Sequence, residues 1–427
     1  MAGRAGCLRG ARPVSRTAPV ATGLDLTAIR AQFPTLERRV YDDKRLIFLD
    51  SAASSQKPLA VTDAMDQFMK TSYANVHRGV HRLSQEATDA FEAARTKVAR
   101  FMGADEREVV FTKNTTEAIN LVAQSWGRKN LRPGDEILLT VLEHHANIVP
   151  WQLIAEETGA VVRPVDILED GSLDMDDFAD KLGERTRMVA CAFVSNVLGT
   201  VLPVEEIIAR AHAQGALVLL DASQAVTHRR VDVHALDVDF LAWTGHKLYG
   251  PTGIGVLYGK YELLDAMPPF QGGGDMIDTV SFAGTTFREP PFRFEAGTPA
   301  IVEAVGLGAA VDWVEGVGIE AIAAHEADLL DYAMERLGAG NDVRVFGTAP
   351  EKVSVLAFAL GDHHANDVGT ILDRTGVALR VGQHCAEPLH DRLGVHSTAR
   401  ASFAAYNGRD DVDALLDGLA VCRELLG

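Results

Sequence analysis

The sequence is short of the features that define several large protein classes. Its 427 residues include four cysteines, Cys7, Cys191, Cys385 and Cys422. Thiols so few and so scattered cannot form a disulfide framework. No CxxC, HExxH or EF-hand loop occurs, so no dedicated metal site is expected. No run approaches the ~18 apolar residues of a membrane span. Basic residues are in deficit too: 41 Lys and Arg stand against 59 Asp and Glu, a formal charge of -18. Contact with a phosphate backbone needs a local excess of cations, so a nucleic-acid partner is not expected. What is present suits a large globular enzyme. Hydrophobic residues make up 47% and charged residues 23% of the chain, enough apolar mass for an extensive core. The length suggests two to three domains.

Residues 1–24 stand apart. They carry Arg4, Arg9, Arg12 and Arg16 and no acidic residue. The stretch reads as a disordered tail or an over-long start. Transit peptides share the Arg-rich, acid-free character, although this segment is short and poor in Ser, so organelle targeting stays open beside the expected cytoplasmic location.

From about residue 108 to 260, apolar runs alternate with helical stretches. Glu108-Val-Val-Phe-Thr leads into a helix start at Asn114-Thr-Thr-Glu-Ala-Ile-Asn, where the oxygens of Thr-Thr-Glu read as N-terminal caps. Asp135-Glu-Ile-Leu-Leu-Thr, Met188-Val-Ala-Cys-Ala-Phe-Val, Ala216-Leu-Val-Leu-Leu-Asp, Phe240-Leu-Ala-Trp-Thr and Ile254-Gly-Val-Leu-Tyr follow. These runs are apolar throughout rather than alternating, which indicates a mostly parallel sheet covered on both faces. Residues 261–300 read as loop-rich. A long helical region is expected from about 303 to 337, then a second α/β unit ending in a helix over 410–426. The expected division is a large domain over 25–300 and a smaller C-terminal α+β domain over 301–427, its first helix linking the two. Residues 25–45 are left open to packing with the small domain.

In such sheets the strand C-terminal ends form the ligand crevice. Two apolar runs end there in ionisable groups, at Asp221-Ala-Ser-Gln224 and at Thr244-Gly-His246-Lys247. A carboxylate buried at a strand end needs a cationic partner. Pyridoxal phosphate (PLP) provides one: a carboxylate pairs with its pyridinium nitrogen and a lysine holds it as a Schiff base. On spacing alone an ordinary loop ion pair fits equally well. Thr115 and Thr116 lie at a helix start, where exposed amides favour a phosphate. Thr244 and His246 can add donors to it, and His144 sits at another strand end where a flat ring could stack on a cofactor. Taken singly, His144 reads more simply as a polar residue at a helix start.

With these residues in place, a family resemblance emerges. Tyr73-Ala-Asn-Val-His-Arg-Gly-Val-His, Glu143-His-His-Ala-Asn-Ile-Val-Pro-Trp, Val194-Ser-Asn-Val-Leu-Gly-Thr and Thr244-Gly-His-Lys-Leu-Tyr-Gly-Pro-Thr-Gly carry it. Arg293-Phe-Glu-Ala-Gly-Thr-Pro and Arg380-Val-Gly-Gln-His-Cys-Ala-Glu-Pro extend it. From about Leu46 to its end the chain resembles the SufS-type cysteine desulfurases, fold-type I PLP enzymes of the class V aminotransferase group. The Ser-rich nucleophile loop of the NifS/IscS type is absent.

The resemblance implies roles position by position. Lys247 is the Schiff-base lysine, Asp221 the pyridinium partner, Gln224 a partner of the cofactor's phenolic oxygen and His144 the stacking ring. Thr116, Thr244 and His246 hold the phosphate, with Thr298 reaching it from the other subunit of a homodimer. Arg400 takes the substrate carboxylate with help from Asn196, and Arg380 and His77 lie at the site and its entrance. Cys385 is the nucleophile, since it follows His384 and lies near Arg380 in an expected loop, a setting that favours thiolate. Cys191 reads as an inert core thiol. The implied reaction converts L-cysteine to L-alanine and leaves a persulfide on Cys385, for transfer by thiol exchange into iron–sulfur cluster assembly.

Two departures from the family pattern bear on partners. Gln383 stands where many relatives have His. Asn366 stands where relatives that serve a zinc-containing SufU-type scaffold place His, which favours a SufE-type acceptor. The pair His363-His364 reads as surface, and His77 with His81 fits the entrance better than a metal site despite its i, i+4 spacing. The competing readings are a selenocysteine lyase acting on L-selenocysteine, another class V enzyme such as a kynureninase or aminotransferase, and an inert sulfur-assembly scaffold. The intact Lys247 argues against the last.

Overall fold

The computed structural model describes residues 23–41, 43–338 and 342–427. Most of the expected N-terminal tail, residues 1–22 with Cys7, lies outside them. Seven strands form the main sheet: β1 (Val109–Thr112), β2 (Glu136–Thr140), β3 (Val161–Val165), β4 (Thr186–Ala192), β5 (Leu217–Asp221), β6 (Phe240–Thr244) and β7 (Gly255–Gly259). Their order is β1-β7-β6-β5-β4-β2-β3. β7 runs antiparallel to both neighbours, and the other pairs are parallel.

The unbroken apolar runs have a direct cause. Leu138, Val189, Leu220 and Trp243 feed one core, while Leu139, Met188, Leu219 and Ala242 feed another on the opposite face. Both faces are dry, so alternation disappears. β3 escapes the sequence pattern because it is the partly exposed edge strand, with the sequence Val-Val-Arg-Pro-Val. Proline is tolerated at an edge, where one side of the strand donates to nothing.

Helices α1 (Leu59–Thr71) and α2 (Arg82–Met102) precede β1, and α3 (Thr115–Val122) follows it. The cap of α3 is one residue earlier than the Thr-Thr-Glu reading suggests: the Asn114 side chain accepts from the Glu117 N–H at 2.9 Å. Asn114 also packs against β7 so closely that a Cβ on Gly255 would lie 2.5 Å from its Cα. Glycine is required there by close approach alone. The stretch 261–300 contains an exposed hairpin, β8 (Ile277–Ser281) with β9 (Gly284–Phe287). The expected single helical region is two helices, α4 (Ile301–Val317) and α5 (Ile319–Gly338), broken at Gly318 with φ 93°. α4 packs on α1 and α2.

A second sheet, antiparallel throughout, holds β10 (Val343–Phe346), β11 (Val355–Leu360), β12 (Arg380–Gly382) and β13 (Thr398–Ser402) in the order β10-β11-β13-β12. Helices α5, α6 (Ala365–Arg374) and α8 (Arg409–Leu426) share its core through Leu329, Leu372 and Leu415. The segment 25–45 attaches here: Arg30 and Arg45 both pair with Asp410 and Asp411 at the start of α8. Just beyond it, Ile47–Phe48 pairs in parallel with Val377–Ala378. The fold is α/β, with a large mostly parallel sheet and a smaller antiparallel one whose loops meet over its strand ends. Among the described residues no helix is long and apolar enough to cross a membrane.

Candidate active site

The meeting of the two sheets leaves a cavity of about 220 Å³. The large sheet supplies its floor. Asp221 is the last residue of β5 and is in register with Ala242 of β6. Lys247 follows within the single helical turn Gly245–Lys247 after β6. Asp221 accepts from the Ser223 N–H at 2.9 Å and forms no ion pair among the described residues. Lys247 is held down to about 8 by burial, with the Asp221 charge opposing that shift.

Thr115, Thr116, Thr244 and His246 line one end of the cavity. The Thr115 and Ser223 hydroxyls are hydrogen-bonded at 2.8 Å. Thr244 Oγ1 is buried with no partner among the described residues. Burial and the nearby Lys247 and Lys57 charges hold His246 down at about 4. His144 lies on the wall, its Nδ1 accepting from the Ala146 N–H at 3.0 Å. Burial, then the Lys247 charge, hold it to about 4 as well, so the ring is neutral near pH 7. Gln224 is clamped by donating its Nε2 to the Ala52 carbonyl at 2.8 Å.

The second sheet brings Arg380 and Arg400 over this floor, on paired positions of β12 and β13. Arg400 is 2% exposed. Its Nη1 donates to the Asn196 carbonyl at 2.8 Å and its Nη2 reaches Asp50 at 3.3 Å. Arg400 Nε is buried without a partner among the described residues. Nη2 keeps a second hydrogen beside the one aimed at Asp50, so the edge formed by Nε and Nη2 is suited to two-pronged carboxylate binding. Cys385 is exposed at the mouth, in the loop between β12 and α7 (Glu387–Leu393). His384 and Cys385 both have left-handed backbones, φ 52° and 57°.

One cavity thus gathers Lys247, Asp221, Gln224, His144, Thr115, Thr116, Thr244, His246, Asn196, Arg380, Arg400 and Cys385. Two expected residues are not brought to it within this chain. Thr298 is exposed elsewhere on the surface. His77 is not on a helix with His81: it has φ 68°, and His81 is the N-cap of α2. Its Nε2 lies 2.7 Å from Glu92 Oε1, and its ring meets Phe91 and Phe292 edge-on. The sequence reading also passed over Asp50 and Asn114, and used His384 merely as a neighbour of Cys385. Asp50 lies in Leu46-Ile-Phe-Leu-Asp-Ser-Ala-Ala-Ser, where the family match begins, yet no role follows from that position, whereas His384 was legible as the residue before a candidate nucleophile.

The donor set fits PLP. An orphan threonine hydroxyl, a helix start, a buried carboxylate without a counter-ion and a buried amine occupy one pocket, as a phosphate, a pyridinium and an aldehyde require. Among the described residues no three His, Cys, Asp or Glu side chains are gathered as for a metal ion.

A fold and site of this kind define a PLP-dependent transferase, and the comparisons agree. Residues 47–415 match the family described as aminotransferase class-V, and the chain belongs to that family. Within it the similarity falls on cysteine desulfurases. The chain is 53% identical over 401 residues to the cysteine desulfurase of Dickeya dadantii (strain 3937), covering 93% of this chain and 97% of the relative. It is 50% identical over 411 residues to the probable cysteine desulfurase of Streptomyces coelicolor (strain ATCC BAA-471 / A3(2) / M145), covering 95% and 98%. The solved structure of the cysteine desulfurase CsdA (S-sulfonic acid) from Escherichia coli superposes with a TM-score of 0.87 at 43% identity, covering 94% of this chain and 99% of that one.

Proposed function

We infer that this chain is a PLP-dependent cysteine desulfurase, which converts L-cysteine to L-alanine and takes the sulfur onto Cys385. The observation that carries the reading is one pocket lined by a buried lysine, a buried carboxylate, a carboxylate-binding arginine edge and an exposed cysteine.

Lys247 is the residue that would bind the cofactor covalently, opposite Asp221 at the pyridinium nitrogen. His144 would lie against the ring, and Gln224 near the phenolic oxygen. Thr115, Thr116, Thr244 and His246 would hold the phosphate, completed by Thr298 of a second copy in a homodimer. When bound, PLP supplies the electron sink for proton removal at Cα. The Nε–Nη2 edge of Arg400 takes the substrate carboxylate, with Asn196 and Arg380 beside it. Lys247, close to half-deprotonated near pH 8 because it is buried, carries the Cα proton. Cys385 Sγ attacks the substrate sulfur: the new S–S bond forms as the Cβ–S bond breaks, and the electron pair stays on the alanine carbon. Exposure of Cys385 at the mouth supports handover to an acceptor protein of the SufE type, for iron–sulfur cluster assembly.

The test is production of alanine and sulfide from L-cysteine with a thiol reductant, with and without PLP. Equal amounts of both products, dependent on PLP, are expected. Pyruvate in place of alanine would overturn the reading.

A further inference from the structure

We infer that His384 is a further residue that contacts substrate: three hydrogen bonds fix its ring as the Nε2–H tautomer and leave Nδ1 as a bare acceptor for the thiol hydrogen of L-cysteine. The inference rests on the desulfurase reading above.

The chain of bonds starts at a group with a single possible role. The Ala386 carbonyl can only accept, so His390 Nδ1, 3.0 Å away, carries a hydrogen. Burial holds His390 below the ordinary imidazole range, so the ring is neutral and its Nε2 offers a lone pair. Thr398 Oγ1 lies 3.1 Å from that Nε2 and gives it its one hydrogen. The same oxygen lies 2.9 Å from His384 Nε2. With its hydrogen already committed, Thr398 accepts there, and His384 Nε2 must be the donor. Burial, then the Arg400, His390 and Arg380 charges, push His384 far below the usual imidazole range. Its Nδ1 is therefore a lone pair.

That nitrogen is buried without a partner among the described residues, and His384 lines the cavity shared by Lys247, Cys385 and Arg400. A buried acceptor left unmatched carries a desolvation cost, removed if a donor arrives with the substrate. L-Cysteine has few donors to offer. Its carboxylate accepts from Arg400, and its amino nitrogen belongs at the Lys247 end. The thiol hydrogen remains. Held by His384, the thiol cannot rotate about the Cβ–S bond while the neighbouring Cys385 approaches.

Two sulfur-free amino acids of cysteine's shape test this, their binding read from the absorbance of the cofactor in the holoenzyme. L-Serine has a hydrogen donor at the thiol position, and L-2-aminobutyrate has a methyl group. The wild-type preference for L-serine over L-2-aminobutyrate should fall roughly three- to tenfold in His384→Leu, the worth of one hydrogen bond. His384→Asn, which keeps an acceptor near Nδ1, should recover most of it. An unchanged preference in His384→Leu would overturn the inference. Nitrogen-15 NMR of the wild-type holoenzyme gives a readout independent of how the variants fold: Nδ1 of His384 and Nε2 of His390 should both be unprotonated. A hydrogen on His384 Nδ1 would overturn the assignment. Alanine formation by the same wild-type sample reports separately on the desulfurase reading.

Discussion

His145 and Cys385 are joined main chain to main chain, the His145 N–H donating to the Cys385 carbonyl at 2.7 Å. Two more bonds reinforce the joint. His145 Nε2 accepts from the Glu387 N–H at 3.0 Å, and Asn196 Nδ2 donates to the His384 carbonyl at 2.9 Å. The cysteine loop comes from the C-terminal sheet, yet its carbonyls are held by groups at the strand ends of the large sheet. Nucleophile and lysine are positioned as one unit although 138 residues separate 247 from 385.

Lys247→Ala should abolish turnover, because covalent attachment and the Cα proton carrier are lost together. Asp221 and the phosphate site are untouched, so the purified protein should still retain PLP, measurable after acid release. Turnover near wild type would refute the lysine assignment.

Cys385→Ser should separate binding from sulfur transfer. Arg400 and Lys247 remain, so L-cysteine should still perturb the cofactor absorbance. Alanine formation should fall by several powers of ten, kcat and kcat/KM together, since the group acts in the transition state. Mass spectrometry should find no persulfide on the peptide containing position 385.

Arg400→Lys should lower kcat/KM for L-cysteine by two or more powers of ten, because an ammonium cannot offer the paired Nε and Nη2 hydrogens. The Asn196 carbonyl would also lose its partner. Steady-state kinetics at saturating PLP would show it. A loss of less than threefold would mean that the carboxylate binds elsewhere.

Arg95→Met should destabilise the fold by about 3–5 kcal/mol. Arg95 is 1% exposed and donates to Glu295, Glu92 and the Val109 carbonyl while lying over the Phe111 ring. Its removal leaves the Glu295 carboxylate buried and unpaired. Urea unfolding of the same sample measures the difference.

Glu92 gives a pH signature. Burial works against its charge, but hydrogen bonds from His77 and Arg95 outweigh it and bring the carboxyl down to about 2. A depressed carboxyl adds stability above its unfolded value near 4.5 and loses it as pH falls towards 2. The urea midpoint of Glu92→Gln should therefore approach that of wild type between pH 5 and pH 3. A constant gap across that range would refute the assignment.

Much of this was legible in the sequence, for identifiable reasons. Dry faces on both sides of the sheet left strands such as Leu217–Asp221 as plain apolar runs ending in charge, and that abrupt ending marked the site. The edge strand Val161–Val165 was hidden by its Arg and Pro, which an edge permits. The break at Gly318 was hidden because α4 and α5 are apolar on both sides of it. The setting of His77 is not written in its i, i+4 spacing from His81: a left-handed residue ends the approach to α2 and hands the ring to Glu92. The motif that holds Asp50 could not announce its role, which comes from a partner 350 residues away. His384 shows the same limit, since its tautomer is set by Thr398 and His390 through space.

The left-handed backbone at Cys385 has a consequence for how this protein tolerates change. A side chain in that conformation costs roughly 1–2 kcal/mol that glycine would not incur. The fold alone would therefore favour Cys385→Gly over the native residue, and any screen for thermostability should enrich it. The sulfur sits at one of the places where a more robust molecule would be an inert one.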